Sequence, residues 1–237
     1  MKYFKPILFF LSTLLVLSCS SDDGKISFTL LQLNDVYEIS SIQGGKFGGM
    51  ARVETIHKKL LKENKNTMLV MAGDFLNPSL LGGMKLNGEK IRGKQMIEVM
   101  NAMNFDVVAF GNHEFDIPKN DLQNRINDSS FPWISSNVFN RTKDSIKPFY
   151  QEINGLQIPI KGSFIKEISD ADGTNIKIGF ISVCIPSNPK EYVLYTDMFN
   201  SIQKEYESIK DKVDVVIGLT HVKIEHDREI ARLLPNI

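Results

Sequence analysis

Apolar positions along this chain recur at two spacings. Val53, Ile56, Leu60 and Leu61 follow i, i+3, i+7, i+8 and predict an amphipathic helix; Met96, Val99, Met100 and Met103 predict a second. Short apolar runs at residues 26–33, 68–72, 106–110, 133–138, 176–183 and 213–219 predict strands. Turn chemistry separates them: Leu86-Asn87-Gly88-Glu89 is a hairpin signal, Asn154-Gly155 centres a hairpin over residues 150–168, and Asp172-Gly173 leads into the strand at 176. Further helices are expected at 118–126, with Pro118 near the start, at 198–209, and from about Asp227 onward. Helices and strands in alternation, with hairpins among them, predict a layered α/β domain with mixed sheets.

The first residues read differently. Lys2 and Lys5 precede an apolar run over residues 7–17, which is about half of what a membrane span needs. A short basic region followed by a short apolar one reads as an export signal. Residues 1–18 are therefore expected to be a signal peptide. Cys19, directly after Val16-Leu17-Ser18, resembles the cleavage and lipidation position of bacterial lipoproteins. Residues 19–25 would then form a lipidated, solvated tether, and 26–237 the folded domain. The expected location is a bacterial cell-envelope membrane, reached through a lipid anchor, with the acidic Ser21-Asp22-Asp23 stretch favouring surface exposure.

Composition narrows the partners. Twenty-eight basic and twenty-eight acidic residues cancel, and no basic tract stands out, so nucleic acid lacks electrostatic support as a partner. With Cys19 lipidated, Cys184 is the one remaining thiol. It lies in an apolar run and reads as a buried strand residue, so no disulfide framework is expected.

Candidate chemistry collects where the strands stop. The run at 106–110 gives way to Gly111-Asn112-His113-Glu114-Phe115-Asp116, which brings an amide, an imidazole and carboxylates into one short loop. Gly73-Asp74 follows the run at 68–72. Asn34-Asp35-Val36-Tyr37 follows 26–33, and Thr220-His221 follows 213–219. Either aspartate alone could be an ordinary turn residue; four such strand ends together could converge on one sheet edge. Arg52, beside Gly48-Gly49, could touch a phosphate or simply open a helix, and His57 and His226 read as boundary and surface residues.

In this order, Asp35-Val36-Tyr37, Gly73-Asp74, Gly111-Asn112-His113-Glu114 and Thr220-His221 resemble the signature of the calcineurin-like metallophosphoesterases, closest to their secreted 5'-nucleotidase and 2',3'-cyclic phosphodiesterase branch. The resemblance implies a four-layer αββα sandwich. It also implies two divalent metal ions (Mn, Zn or Fe) holding a hydroxide that attacks the phosphorus of a small phosphate ester, a nucleotide among the candidates. On this resemblance Asp35 is a ligand of the first ion, Asp74 bridges the two, and Asn112 and His221 hold the second. His113 stabilises developing charge or protonates the leaving oxygen, and Asp116 fixes its tautomer. Glu114 is expected to do no more than stabilise the loop.

Two departures from the family pattern matter. The family has His two residues after its first Asp, where this chain has Tyr37; a phenolate there would ligate hard trivalent iron, or the ring would only fill space. The family's following Gly-His-x-His motif, whose imidazoles complete both sites, has no counterpart up to Ile237. The expectation is thus a sandwich incomplete at its C-terminal end. Two alternatives stand beside the enzyme: a non-catalytic, degenerate surface lipoprotein, and a non-functional gene fragment.

Overall fold

The apolar run in the second predicted strand is the centre of the molecule. In the computed structural model, which describes residues 24–237 apart from Asn188, Thr67–Ala72 is a strand with every residue buried. The export signal and Cys19 lie outside the described residues. Thr67–Ala72 is the second strand of a four-stranded sheet, between Thr29–Leu33 and Val107–Ala109, with Trp133–Ile134 at the far edge; all three pairings are parallel. Strands buried on both faces need not alternate apolar with polar, which is why this run is continuous.

Its two faces pack against different partners. Leu69, Met71 and Val108 share a core with Met50, Met96, Ile97, Met100 and Leu122, from the helices Met50–Glu63, Lys94–Met103 and Lys119–Asp128. Met68, Val70, Ala72, Val107 and Ala109 face Ile168, Ile178 and Phe180 of a second sheet, and Leu219 just beyond it. That sheet runs Ser163–Ser169, Asn175–Ile181, Val215–Gly218, with the first pair antiparallel and the second parallel. Its other face, Ile181 and Val216, packs with Ile202, Ile209 and Ile230 of the helices Met198–Ile209 and Ile224–Leu233. The layers are helix, sheet, sheet, helix: the expected four-layer arrangement, with a parallel central sheet.

Helix boundaries follow local chemistry. Lys94–Met103 starts after Gly93 (φ 82°) and stops where Asn104 turns left-handed (φ 57°). Met198–Ile209 matches its predicted bounds because Asp197 caps it, accepting from the Asn200 amide at 2.8 Å. The last helix begins at Ile224, earlier than expected near Asp227; Glu225 and Asp227 sit in its first turn, where carboxylates favour the helix dipole.

Two strand expectations are corrected. The stretch 133–138 is not one strand. It pairs in the parallel sheet only at Trp133–Ile134, and Val138–Arg141 joins a separate sheet between Ile146–Lys147 and Val193–Tyr195. The break is Ser135-Ser136-Asn137, whose polar groups bond elsewhere: Ser135 N to Lys161 O, Ser136 N to Ser182 O, and Asn137 to both the amide and the carbonyl of Cys184. Nor does the hairpin at Asn154-Gly155 reach Ile168. Its arms are Tyr150–Ile153 and Leu156–Pro159, and from Ser163 the chain pairs instead with Asn175–Ile181 across the Asp172-Gly173 turn. Pro159, without an amide proton, suits the last rung of the first hairpin.

Candidate metal centre

The strand ends do converge. Asp35 follows Thr29–Leu33, Asp74 follows Thr67–Ala72, and the 3-10 turn His113–Asp116 follows Val107–Ala109, all at one end of the parallel sheet. His221 arrives from the neighbouring sheet. Its amide bonds Val183 O and its carbonyl accepts from Ile185 N, both at 2.9 Å, which carries it beyond the end of Val215–Gly218 to the same place.

The loops are shaped for close approach. Asp35 (φ 55°) and Asp74 (φ 60°) both adopt left-handed backbone, a conformation non-glycine residues seldom take and one that turns each carboxylate sharply off its strand. Asp35 N donates to Gly73 O at 3.1 Å, joining the first two loops. Gly73 (φ 82°) and Gly111 interlock: a Cβ on Gly73 would meet the Gly111 backbone, and one on Gly111 would meet the Asp74 carboxylate.

Asp35, Asp74 and His221 each present one donor atom, and these lie within 4.8 Å of one another. Asp74 is the hub, at 2% exposed. Its Oδ1 accepts from the His113 amide at 2.8 Å, and its Oδ2 lies 3.1 Å from His221 Nε2. Burial works against its charge, yet the hydrogen bonds from His221 and the His113 amide, with the two imidazoles nearby, hold it below the usual carboxylate range. His221 Nδ1 donates to the Ala72 carbonyl at 2.7 Å, turning Nε2 toward the carboxylates. A backbone carbonyl on one ring nitrogen is the arrangement that orients a metal-binding imidazole. Burial opposes charge on His221, but Asp74 raises it to about 9, so a proton would compete with any cation for Nε2. Two carboxylates and one oriented imidazole fit a divalent transition ion.

Tyr37 stands among these groups. Its hydroxyl lies 2.9 Å from Asp35 Oδ1 and 3.2 Å from Asp74 Oδ2. Burial, then both carboxylates, push the phenol far above its usual value. Asn112 is half-buried and directly precedes the His113–Asp116 turn, whose first amide bonds Asp74 Oδ1.

His113 Nδ1 meets Asp116 Oδ2 at 2.6 Å, while Nε2 lies 4.0 Å from Asp74 Oδ2. The ring therefore faces the ligand group and is steadied from behind. The Asp116 hydrogen bond raises His113 above its ordinary value, with Asp74 adding to it. Glu114 is fully buried beneath the site and accepts the amides of Asp74 (2.8 Å), Phe75 (2.8 Å), Leu76 (3.1 Å) and Gly111 (2.6 Å). Burial and the Asp74 charge push its carboxyl up, against the pull of those amides. Sequence reasoning gave Glu114 only a loop-stabilising part and missed its reach into the Asp74 loop. A carboxylate facing outward-pointing amides has no linear signature.

Arg52 bonds the carbonyls of Gly45 and Gly48 in the small hairpin before its helix, and so is committed to backbone. His57 is buried against Glu54, and His226 is half-buried against Phe199. A surface cleft of about 720 Å³, lined by Ser136, Lys161, Lys204 and Glu205 among others, contains none of the converging residues.

Comparison with known proteins agrees with this geometry. The family model described as calcineurin-like phosphoesterase matches residues 28–235. A snake venom 5'-nucleotidase of Naja atra is 30% identical over 227 residues, covering 90% of this chain and 40% of its own length. The solved NAD nucleotidase of Haemophilus influenzae is 26% identical with a TM-score of 0.63, over 86% of this chain and 36% of that one. The 5'-nucleotidase precursor of Thermus thermophilus superposes with a TM-score of 0.67 at 22% identity, over 86% of this chain and 39% of that one. The chain thus spans about two fifths of the length of these relatives.

Proposed function

Since the chain belongs to the calcineurin-like phosphoesterase family, we propose that it is a metal-dependent phosphomonoesterase whose substrates are 5'-nucleotides. The observation that carries the reading is the convergence of Asp35, Asp74 and His221 within 4.8 Å, beside the His113 imidazole, whose Nδ1 is held by Asp116. The nucleotide preference draws on the relatives, which are named as nucleotidases.

Asp35, Asp74, His221 and Asn112 would hold the metal, two ions on the family pattern, with Tyr37 Oη adjacent to both carboxylates. Bound divalent ions would supply charge neutralisation at the phosphoryl oxygens and an acidified water at neutral pH. The chain's own work is positioning and proton handling. Asp116 holds His113 Nδ1–H, so that Nε2–H is directed at the space above Asp74, where a phosphoryl or leaving oxygen would lie. Donation from Nε2 would stabilise charge there or protonate the departing alkoxide. The Ala72 carbonyl keeps His221 from rotating out of the ligand group. Location at the cell envelope through Cys19 belongs to the same proposal and rests on the N-terminal sequence alone.

The test is phosphate release from a 5'-mononucleotide by the purified chain, with added Mn(II) or Zn(II) and with chelator. Turnover is expected to need metal, and His113→Ala to lower kcat by about 100-fold or more, the usual size of a lost acid–base group. Metal-independent turnover, or full activity in His113→Ala, would overturn the assignment. A second reading, a binding protein without turnover, is favoured by one observation: Tyr37 stands where the family pattern has a metal-binding His. Its mark would be folded protein that takes up metal weakly and releases no phosphate.

A further inference from the structure

The floor of the site is built from one side chain, Glu114. It is fully buried on a 3-10 turn of only His113–Asp116, and its two oxygens divide their bonds between two loops. Oε2 accepts from Asp74 N at 2.8 Å and from Gly111 N at 2.6 Å. Oε1 accepts from Phe75 N at 2.8 Å and Leu76 N at 3.1 Å. Residues 74–76 leave the strand Thr67–Ala72, and Gly111 leaves Val107–Ala109. Beyond these bonds the loops also touch through the His113 amide to Asp74 Oδ1, through Asn77 Nδ2 to Asp116 Oδ2 at 3.4 Å, and through the Gly73–Gly111 contact, where there is no room for a Cβ.

Backbone amides at a strand end have no ladder partner, and burying them unpaired costs about 1–3 kcal/mol each. A neutral side chain could not satisfy so many donors, because an amide offers a single acceptor oxygen. A carboxylate offers two oxygens and accepts charge-assisted bonds. Among the described residues, the hydrogen bonds of Glu114 all come from backbone amides and none from a ligand side chain. Glu114 therefore acts on the site through the backbone of Asp74 and of the Gly111-Asn112-His113 segment, and its charge is felt by Asp74, His113 and His221 as well.

We propose that Glu114 is a positioning residue that sets the spacing between Asp74 and the Asn112–His113 pair, and thereby the affinity of the centre for its divalent ion. The inference rests on the metal-site reading above and extends it to a residue bonded only to backbone amides. It distinguishes Glu114 from ordinary core: deleting it should loosen metal binding out of proportion to the stability lost.

The experiment is titration calorimetry of the full chain with Mn(II), comparing wild type, Glu114→Gln and Ile202→Ala. Ile202 is fully buried in the helix Met198–Ile209, in the core on the far side of the second sheet, and serves as the destabilised control. The expected result is a loss of at least about tenfold in Mn(II) affinity for Glu114→Gln, the scale of effects from residues behind a metal ligand. Ile202→Ala is expected to keep wild-type affinity despite a lower melting temperature. Equal affinity in Glu114→Gln, or a matching loss in Ile202→Ala, overturns the proposal. Wild type that takes up no Mn(II) overturns the metal-site reading instead.

Amide exchange of the unsubstituted chain then decides the role of Glu114, as it does if Glu114→Gln fails to fold. The Asp74, Phe75, Leu76 and Gly111 amides should share one opening free energy, because they share one acceptor group. If Gly111 opens independently of the other three, Glu114 does not couple the loops and the proposal fails.

Discussion

A phenol and an imidazole are different tenants of the same position. Tyr37 reaches both Asp35 and Asp74 as a neutral donor, and its ionisation is suppressed by burial and by those carboxylates. An uncharged phenol is a poor ligand, whereas a neutral imidazole is a good one. Tyr37→His is thus expected to raise Zn(II) affinity, read by competition with a chromophoric chelator, by about tenfold, within the range of effects for groups at a metal site. Unchanged affinity would mean that the ring takes no part in binding. Cys184 makes the opposite case, a reactive group silenced by its surroundings. It is 1% exposed, and burial pushes its thiol well up. In Cys19→Ser protein, a thiol reagent should leave Cys184 unlabelled until denaturant unfolds the chain; labelling at native rates would place it at the surface.

At the scale of elements, the break after Trp133–Ile134 is held by Asn137, which is fully buried and bonds the amide and carbonyl of Cys184 at 2.9 Å each. Asn137→Ala orphans both backbone groups and should cost about 1–3 kcal/mol for each by urea unfolding; a change near zero would mean that water or relaxation replaces the side chain. This element also marks the boundary of what sequence could supply. The buried strands and the long helices were legible because apolar spacing and caps are local properties, as the match of Met198–Ile209 to its predicted bounds illustrates. The split at 135–137 was not, because it is fixed by backbone partners far along the chain, Lys161, Ser182 and Cys184 among them. Val193–Tyr195 was missed for the same reason: so short a strand is defined by its pairing with Val138–Arg141 and not by any period of its own. Within the site, the strand-end pattern was sufficient to bring Asp35, Asp74 and His221 to one place. The Ala72 carbonyl behind His221 was invisible to it, since a backbone acceptor carries no residue identity.

For the whole molecule, one of the buried layers is the contact between two sheets. Phe180 is fully buried among Met68, Val70 and Ile178 of that interface. Phe180→Ala should cost about 3–5 kcal/mol in denaturant unfolding, while Leu80→Ala, at a side chain 80% exposed, should stay within about 0.5 kcal/mol. Similar losses at both positions would contradict the layered core. The hydrogen bond from His221 to the Ala72 carbonyl spans 149 residues and crosses from one sheet to the other. A cation shared by Asp74 and His221 would therefore read the relative docking of two halves of the fold as well as the chemistry of its ligands. It would act as a latch that engages only when the sandwich is shut. At a hundred times its dissociation constant such an ion adds about 2.7 kcal/mol to the native state, so the growth medium's trace metals would set how long the molecule survives heat and proteases, quite apart from whether it has a substrate to turn over.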